Sequence, residues 1–125
     1  ALLPDEETAG ASAIVRRAST ELCAAPLLWC YEFANTLEMA RRRKRISNGL
    51  LASMLAMLFR LRIRIDETDS DTVRLRLLPL AQQYRLTVYD AAYLELAMRH
   101  GAPLATLDEA LRAAARAEAV PLLPA

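Results

Sequence analysis

Residues 25–44 have the sequence APLLWCYEFANTLEMARRRK, and this stretch decides the fold. The apolar run over 25–29 follows a break in the pattern and is too short to form a helix alone. Over 31–44 the apolar side chains recur at helical spacing, at Phe33, Leu37 and Ala40. We therefore predict a strand over 25–29 that leads into a helix over 31–44.

The same succession continues towards the C-terminus. Ser47 can cap a helix that runs to residue 60, and the polar-apolar alternation over 62–65 is typical of a strand. A helix over 71–84 is expected to bend at Pro79, because proline removes one backbone hydrogen bond. Further helices are predicted over 87–99 and 108–118, with short strands over 103–106 and 120–123.

Towards the N-terminus, Pro4 and the acids that follow it favour a helix that extends to Thr20. Strands that alternate with helices predict an α/β fold with a largely parallel sheet. With 125 residues, of which 54% are hydrophobic, the chain is expected to form a single domain over 1–125.

Composition and charge exclude several classes of protein. No apolar run approaches the ~20 residues of a membrane-spanning helix, and the N-terminus lacks the pattern of a secretion signal. We expect a soluble, cytoplasmic protein with no membrane partner. The net charge of +1 gives no general argument for a nucleic-acid partner, so a local patch would have to bind one. Cys23 and Cys30 support neither a disulfide framework nor a zinc site, and buried free thiols are expected.

Glu32 stands in the most apolar neighbourhood of the chain, at the predicted junction between strand and helix. A buried carboxylate is costly unless it is paired or bound to a metal. Asn35 lies three residues later and can share the same helix face. The residues leave open whether Glu32 is a paired buried group or a functional one.

Asp90 and Asp108 each begin a predicted helix. Thr87 and Asp90 form a pair that resembles a capping box, and Asp108 is a favourable N-cap. Taken singly, each acid therefore has a structural explanation.

The three acids together indicate more than any one of them. Helix entries in a parallel sheet lie on one edge, where open α/β folds bind ligands. Three acids on that edge repel one another unless a cation neutralises them, and hard oxygen ligands select Mg²⁺ or Mn²⁺. Such a site activates water and stabilises charge on a phosphodiester. Glu32, Asp90 and Asp108 therefore predict a metal site.

The segments around these acids resemble PIN-domain ribonucleases. Residues 29–37 (WCYEFANTL) resemble the family pattern in which Glu is followed by Asn and Leu. Residues 87–93 (TVYDAAY) resemble its Asp motif, and residues 105–108 (ATLD) its Thr-x-Asp motif. The order and separation of the three match VapC-like toxins over essentially the whole chain.

The resemblance implies a PIN-like, three-layer α/β/α fold and a Mg²⁺-dependent endoribonuclease, with Mn²⁺ as a possible substitute. It implies that Glu32, Asp90 and Asp108 bind the metal and position the attacking water. Asn35 would help orient the carboxylates, and Thr106 would support the site by hydrogen bonding. It also implies an RNA substrate, a cognate antitoxin protein and a homodimer.

Family members begin with a strand that carries a further Asp ahead of the segment that corresponds to Leu2–Glu6. This sequence starts after that point, so we expect the central sheet to lack its first strand and one acid to lie upstream. If that acid is truly missing, the alternative is a catalytically inactive PIN module that binds RNA or a protein. A nuclease of the same fold that acts in RNA maturation is a further alternative.

Two surface features have open interpretations. The basic run Arg41, Arg42, Arg43, Lys44 and Arg45 either contacts RNA phosphates or is a solvated helix C-terminus. The apolar stripe around Met54, Met57 and Leu58 is either core or a groove for an antitoxin segment or a second subunit.

Overall fold

The structure is a computed structural model that describes residues 16–17, 21, 23–61 and 63–125. Its first half contains four elements, which are β1 (Cys23–Pro26), α1 (Leu27–Arg42), α2 (Asn48–Arg60) and β2 (Ile63–Asp66). The helix predicted to end at Thr20 lies outside the described residues, apart from the helical Arg16 and Arg17.

The strand predicted over 25–29 and the helix predicted over 31–44 both begin earlier in the chain than predicted. The strand ends at Pro26, and Leu27 already begins α1. Proline causes this boundary, because it restricts Ala25 to extended backbone and is itself extended, with φ −67° and ψ 156°. The apolar residues after Pro26 were compatible with either structure, and they continue the helix.

The second half alternates helices and strands as predicted. Its elements are α3 (Ser70–Thr72), a π-helical turn (Val73–Leu77), α4 (Leu78–Tyr84), α5 (Val88–His100), β3 (Leu104–Ala105), α6 (Glu109–Ala117) and β4 (Leu122–Leu123). The irregularity expected at Pro79 takes the form of the wide turn that precedes it, in which the Leu78 amide donates to the Val73 carbonyl. At Gly101 the backbone is left-handed, with φ 59°, which ends α5 as expected.

All strand pairing in the described residues is parallel. β1 pairs with β2, so that Pro26 lies opposite Asp66, and β3 pairs with β4, so that Leu104 lies opposite Leu122. Parallel strands connected by helices confirm the α/β class. Instead of one central sheet, the described residues form two separate two-stranded sheets, and no described strand joins them. The expectation of a further strand ahead of β1 stays a prediction.

Two groups of buried side chains hold the elements together. The larger core is made by α4, α5, β3 and α6 with the preceding π-helical turn, and Ala91, Leu94 and Ala115 are its fully enclosed members. A smaller group joins α1 to α2 through Leu37, Ala40 and Met54. None of the helices described is long and apolar enough to cross a membrane.

Candidate active site

Glu32 lies in the second turn of α1 and is exposed, so its predicted burial was wrong. The apolar residues that surround it in sequence point elsewhere on the helix, with Leu37 buried between α1 and α2. Its carboxylate is nevertheless held, because the Tyr93 hydroxyl donates to Oε1 at 2.6 Å. This contact brings α1 and α5 together at the site.

Asp90 stands in the first turn of α5. Its backbone amide donates to the Thr87 hydroxyl at 3.0 Å, so the capping interpretation of Thr87 is confirmed. The pKa of Asp90 is raised, chiefly by burial and next by repulsion from Asp108, with a smaller contribution from Glu32. A hydrogen bond with Thr87 acts in the opposite direction. The negative charges of Asp108 and Glu32 therefore both act on the carboxylate of Asp90.

Asp108 is the N-cap of α6, as its capping interpretation predicted. Its Oδ2 accepts a hydrogen bond from the Leu111 amide at 2.9 Å, and its own amide donates to Thr106 Oγ1 at 3.1 Å. Buried Arg112 donates to the Thr106 carbonyl at 2.9 Å. The backbone around Asp108 is therefore fixed on both sides.

The donor set of this site suits a hard divalent cation, since it consists of carboxylate oxygens alone. Burial is the largest cause of the raised pKa of Asp90, and a cation at this site would reduce the added repulsion from Asp108 and Glu32. Within the described part of the chain, however, no three such side chains are gathered closely enough to hold a metal ion. Glu32 is bonded to Tyr93 and Asp108 caps α6, and the site has suitable donors in an open arrangement.

The sequence matches the model of the PIN domain over residues 1–117. The chain belongs to the PIN-domain family. This family consists mostly of metal-dependent ribonucleases, which usually bind Mg²⁺.

A solved structure supports the assignment of this PIN domain. The chain is similar to the crystal structure of PAE2754 from Pyrobaculum aerophilum, with 25% sequence identity and a TM-score of 0.61. The match covers 80% of this chain and 71% of the other. No curated protein matches the sequence.

Asn35 follows Glu32 by about one turn of α1. It is exposed on α1, and it forms no hydrogen bond with Glu32, Asp90 or Asp108. Thr106, by contrast, does bond to the backbone of Asp108. Its predicted supporting role therefore has a geometric basis, and the role of Asn35 stays a prediction.

The basic run lies at the far end of α1, about 14 Å along the helix from Glu32 at 1.5 Å per residue. Arg41 and Arg42 pair with Glu38, whereas the side chains of Arg43 and Lys44 project into solvent. Arg41, Arg42, Lys44, Arg45, Ile46, Ser47 and Asn48 line an open groove of about 490 Å³. The basic groove therefore lies apart from Glu32, at the other end of α1.

The sequence interpretation gave Tyr93 no role. Its ring is half-buried against the larger core, and its hydroxyl is bonded to Glu32. The pKa of Tyr93 is raised by burial and by this hydrogen bond, so the hydroxyl remains the donor. One signal was available, because Tyr93 follows Asp90 by three residues and so shares its helix face.

Proposed function

We propose that this PIN domain is a metal-dependent endoribonuclease that hydrolyses RNA phosphodiester bonds, and that it is the toxin of a toxin-antitoxin pair. The observation that carries the proposal is the hydrogen bond between Tyr93 and Glu32, which joins α1 to α5 and so brings the helix of Glu32 to the helix of Asp90. The pKa of Asp90 is raised, chiefly by burial and next by repulsion from Asp108, and raised carboxylate pKa values are typical of functional sites.

Glu32, Asp90 and Asp108 are the residues that would hold Mg²⁺, or Mn²⁺ in its place. When bound, the ion neutralises developing phosphodiester charge and makes water a stronger nucleophile at neutral pH. Thr87 fixes Asp90 at the start of α5, and Thr106 fixes the backbone of Asp108. The chain's own contribution is thus to fix each of these acids on a separate helix.

Two kinds of surface side chain support RNA as the substrate. The basic groove, which is lined by Arg41, Arg42, Lys44 and Arg45, is suited to backbone phosphates. Tyr31 and Tyr89 are exposed to 70% and 63%, and each immediately precedes one of the acids in sequence. Exposed aromatic rings stack on unpaired bases, so single-stranded RNA is the substrate class that we propose.

Exposed apolar side chains on helix α2 support the proposal of a protein partner. Met54 is buried with the smaller core, but Leu50, Leu55 and Met57 are exposed to between 37% and 44%. Leu50 and Met57 are seven residues apart and share one face of α2, which fits an amphipathic antitoxin segment or a second subunit in a homodimer. The side chain of Leu58, which belonged to the predicted stripe, lies outside the described structure.

A second candidate is a catalytically inactive PIN module that binds RNA or a protein. It is favoured by the open arrangement of the acids, since no three of the described acidic, histidine or cysteine side chains form a closed ligand group. A nuclease of the same fold in RNA maturation would share the chemistry of the toxin and differ in its substrate and partner.

The deciding experiment measures cleavage of single-stranded RNA with Mg²⁺ and with EDTA. We expect cleavage to require the metal and to be abolished in Asp90→Asn and Asp108→Asn. Asp69→Asn is the matched control, because Asp69 caps α3 in the same way but lies outside the site. Binding of RNA without metal-dependent cleavage would favour the inactive module, and equal cleavage by all three variants would exclude the proposed site.

A further inference from the structure

Tyr93 and Glu32 are 61 residues apart in sequence, and a hydrogen bond of 2.6 Å joins them. Within the described part of the chain, this is the one side-chain hydrogen bond between α1 and α5. The two helices carry Glu32 and Asp90, so the bond connects the supports of two of the three acids.

Tyr93 and Glu32 differ in how freely their side chains can move. The Tyr93 ring packs against the larger core, and its two side-chain torsions are restricted by that packing. Glu32 is exposed, and a free glutamate loses substantial rotamer entropy when its carboxylate is fixed. The fixed hydroxyl therefore determines where the mobile carboxylate lies.

The bond also leaves one carboxylate oxygen available. Tyr93 donates to Oε1, and no hydrogen bond from the described residues reaches Oε2. Carboxylates that bind metals are themselves held by hydrogen bonds from surrounding groups, which orient the oxygen that faces the ion. The carboxylate of Glu32 has this arrangement.

We propose that Tyr93 is a positioning residue that orients the carboxylate of Glu32 for a divalent cation. This inference rests on the metal site of the proposed function. If the hydroxyl served only to join α1 to α5, its loss would affect stability and leave metal affinity unchanged, because a phenylalanine ring fills the same space.

The test is the affinity of the RNA-free protein for Mn²⁺, measured by isothermal titration calorimetry. We expect Tyr93→Phe to weaken Mn²⁺ binding roughly 10- to 100-fold, as loss of a group that orients a ligand typically does. Tyr84→Phe is the matched control, because the Tyr84 hydroxyl also donates to a glutamate, Glu118, away from the site. The control variant should bind Mn²⁺ like the wild type.

A double variant distinguishes action through Glu32 from a general disturbance. With Glu32→Gln in place, adding Tyr93→Phe should weaken Mn²⁺ binding little further, since the carboxylate that Tyr93 orients has gone. Independent, additive losses would overturn the inference, and so would wild-type affinity in Tyr93→Phe or an absence of Mn²⁺ binding by the wild type.

The outcome is separable from that of the proposed function. If Tyr93→Phe weakens Mn²⁺ binding but the wild type cuts no RNA, the positioning role stands and the nuclease does not. If the wild type cuts RNA and Tyr93→Phe binds Mn²⁺ normally, the nuclease stands and the positioning role is wrong.

Discussion

Arg99 holds Asp66 with two parallel hydrogen bonds, from Nη1 to Oδ1 at 3.1 Å and from Nη2 to Oδ2 at 2.8 Å. Its Nε donates at 2.8 Å to Glu95, which is buried on the same helix. One guanidinium therefore connects the carboxyl end of β2 to α5. The planar fork of arginine suits this arrangement better than a lysine ammonium would.

Asp66→Asn should destabilise the fold by about 1–2 kcal/mol at pH 7, because it weakens a charge-assisted bond that is only partly exposed. The hydrogen bonds from Arg99 lower the pKa of Asp66. The stabilisation is therefore complete above the unfolded pKa of about 3.9 and is lost as pH falls through the lower folded pKa. Urea denaturation at pH 7 and in acid should show the difference between the variants shrinking at low pH.

The control for this prediction is Asp71→Asn. Asp71 also pairs with an arginine, Arg74, but both side chains are about 70% exposed. Its loss should change the free energy of unfolding by about 0.5 kcal/mol at most. Equal destabilisation by the two substitutions would contradict the importance assigned to the bond between β2 and α5.

Asp108 is expected to separate stability from activity. Asparagine is as good an N-cap as aspartate, so Asp108→Asn should retain the stability of α6 while it loses RNA cleavage. Asp108→Ala should lose cleavage and also about 1 kcal/mol of stability. Thermal melting and a cleavage assay on the same samples measure both, and Asp69→Ala should lose stability alone.

Asp90→Asn should stabilise the metal-free protein at neutral pH by about 1 kcal/mol, because it removes a charge that burial and the neighbouring acids disfavour. The pKa of Asp90 is raised in the folded state, so folding becomes less favourable as pH rises from below the unfolded pKa through the folded one. The advantage of the variant should vanish in acid. A variant that melts below the wild type at pH 7 in EDTA would refute this account.

Arg43→Gln should reduce the salt dependence of RNA binding. Removing one cation that neutralises a phosphate of a single strand lowers the slope of log affinity against log salt concentration by about 0.7. Arg41→Gln should have a smaller effect, because Glu38 already offsets the charge of Arg41. Fluorescence anisotropy in EDTA at several salt concentrations provides the measurement, with Arg116→Gln on α6 as the control.

Tyr31→Ala and Tyr89→Ala should each weaken binding of single-stranded RNA, by about 1–3 kcal/mol if the ring stacks on a base. Phenylalanine at either position should preserve binding, because stacking uses the ring and not the hydroxyl. Leu75→Ala is the matched control, since Leu75 is 71% exposed on the π-helical turn. If duplex and single-stranded RNA lose affinity equally, stacking on unpaired bases is not the cause.

Most helices and strands could be predicted from the spacing of apolar residues and from the capping and turn residues in the sequence. Thr87 and Asp108 were placed as caps, and the structure confirms both bonds, because capping depends on residues three positions apart. The start of α1 was missed because the apolar run after Pro26 has no period that separates a strand from a buried helical turn.

Placement of the site residues could be predicted only in part. The acids were found from their apolar surroundings, but the exposure of Glu32 depends on which face of α1 packs against α2. The contact between Tyr93 and Glu32 depends on how α1 and α5 approach each other, which no local pattern specifies. Local rules thus found the residues, and tertiary packing determined their partners.

The division of the interior into two cores affects how the molecule assembles. The larger core comes entirely from the C-terminal part of the chain, where short loops bring its members together quickly. Pairing of β1 with β2 requires closure across α1 and α2, so we expect it to follow later. Asp90 and Asp108 then belong to the part of the chain that we expect to form first. Glu32 contacts Tyr93 only after the first half of the chain has packed against that part.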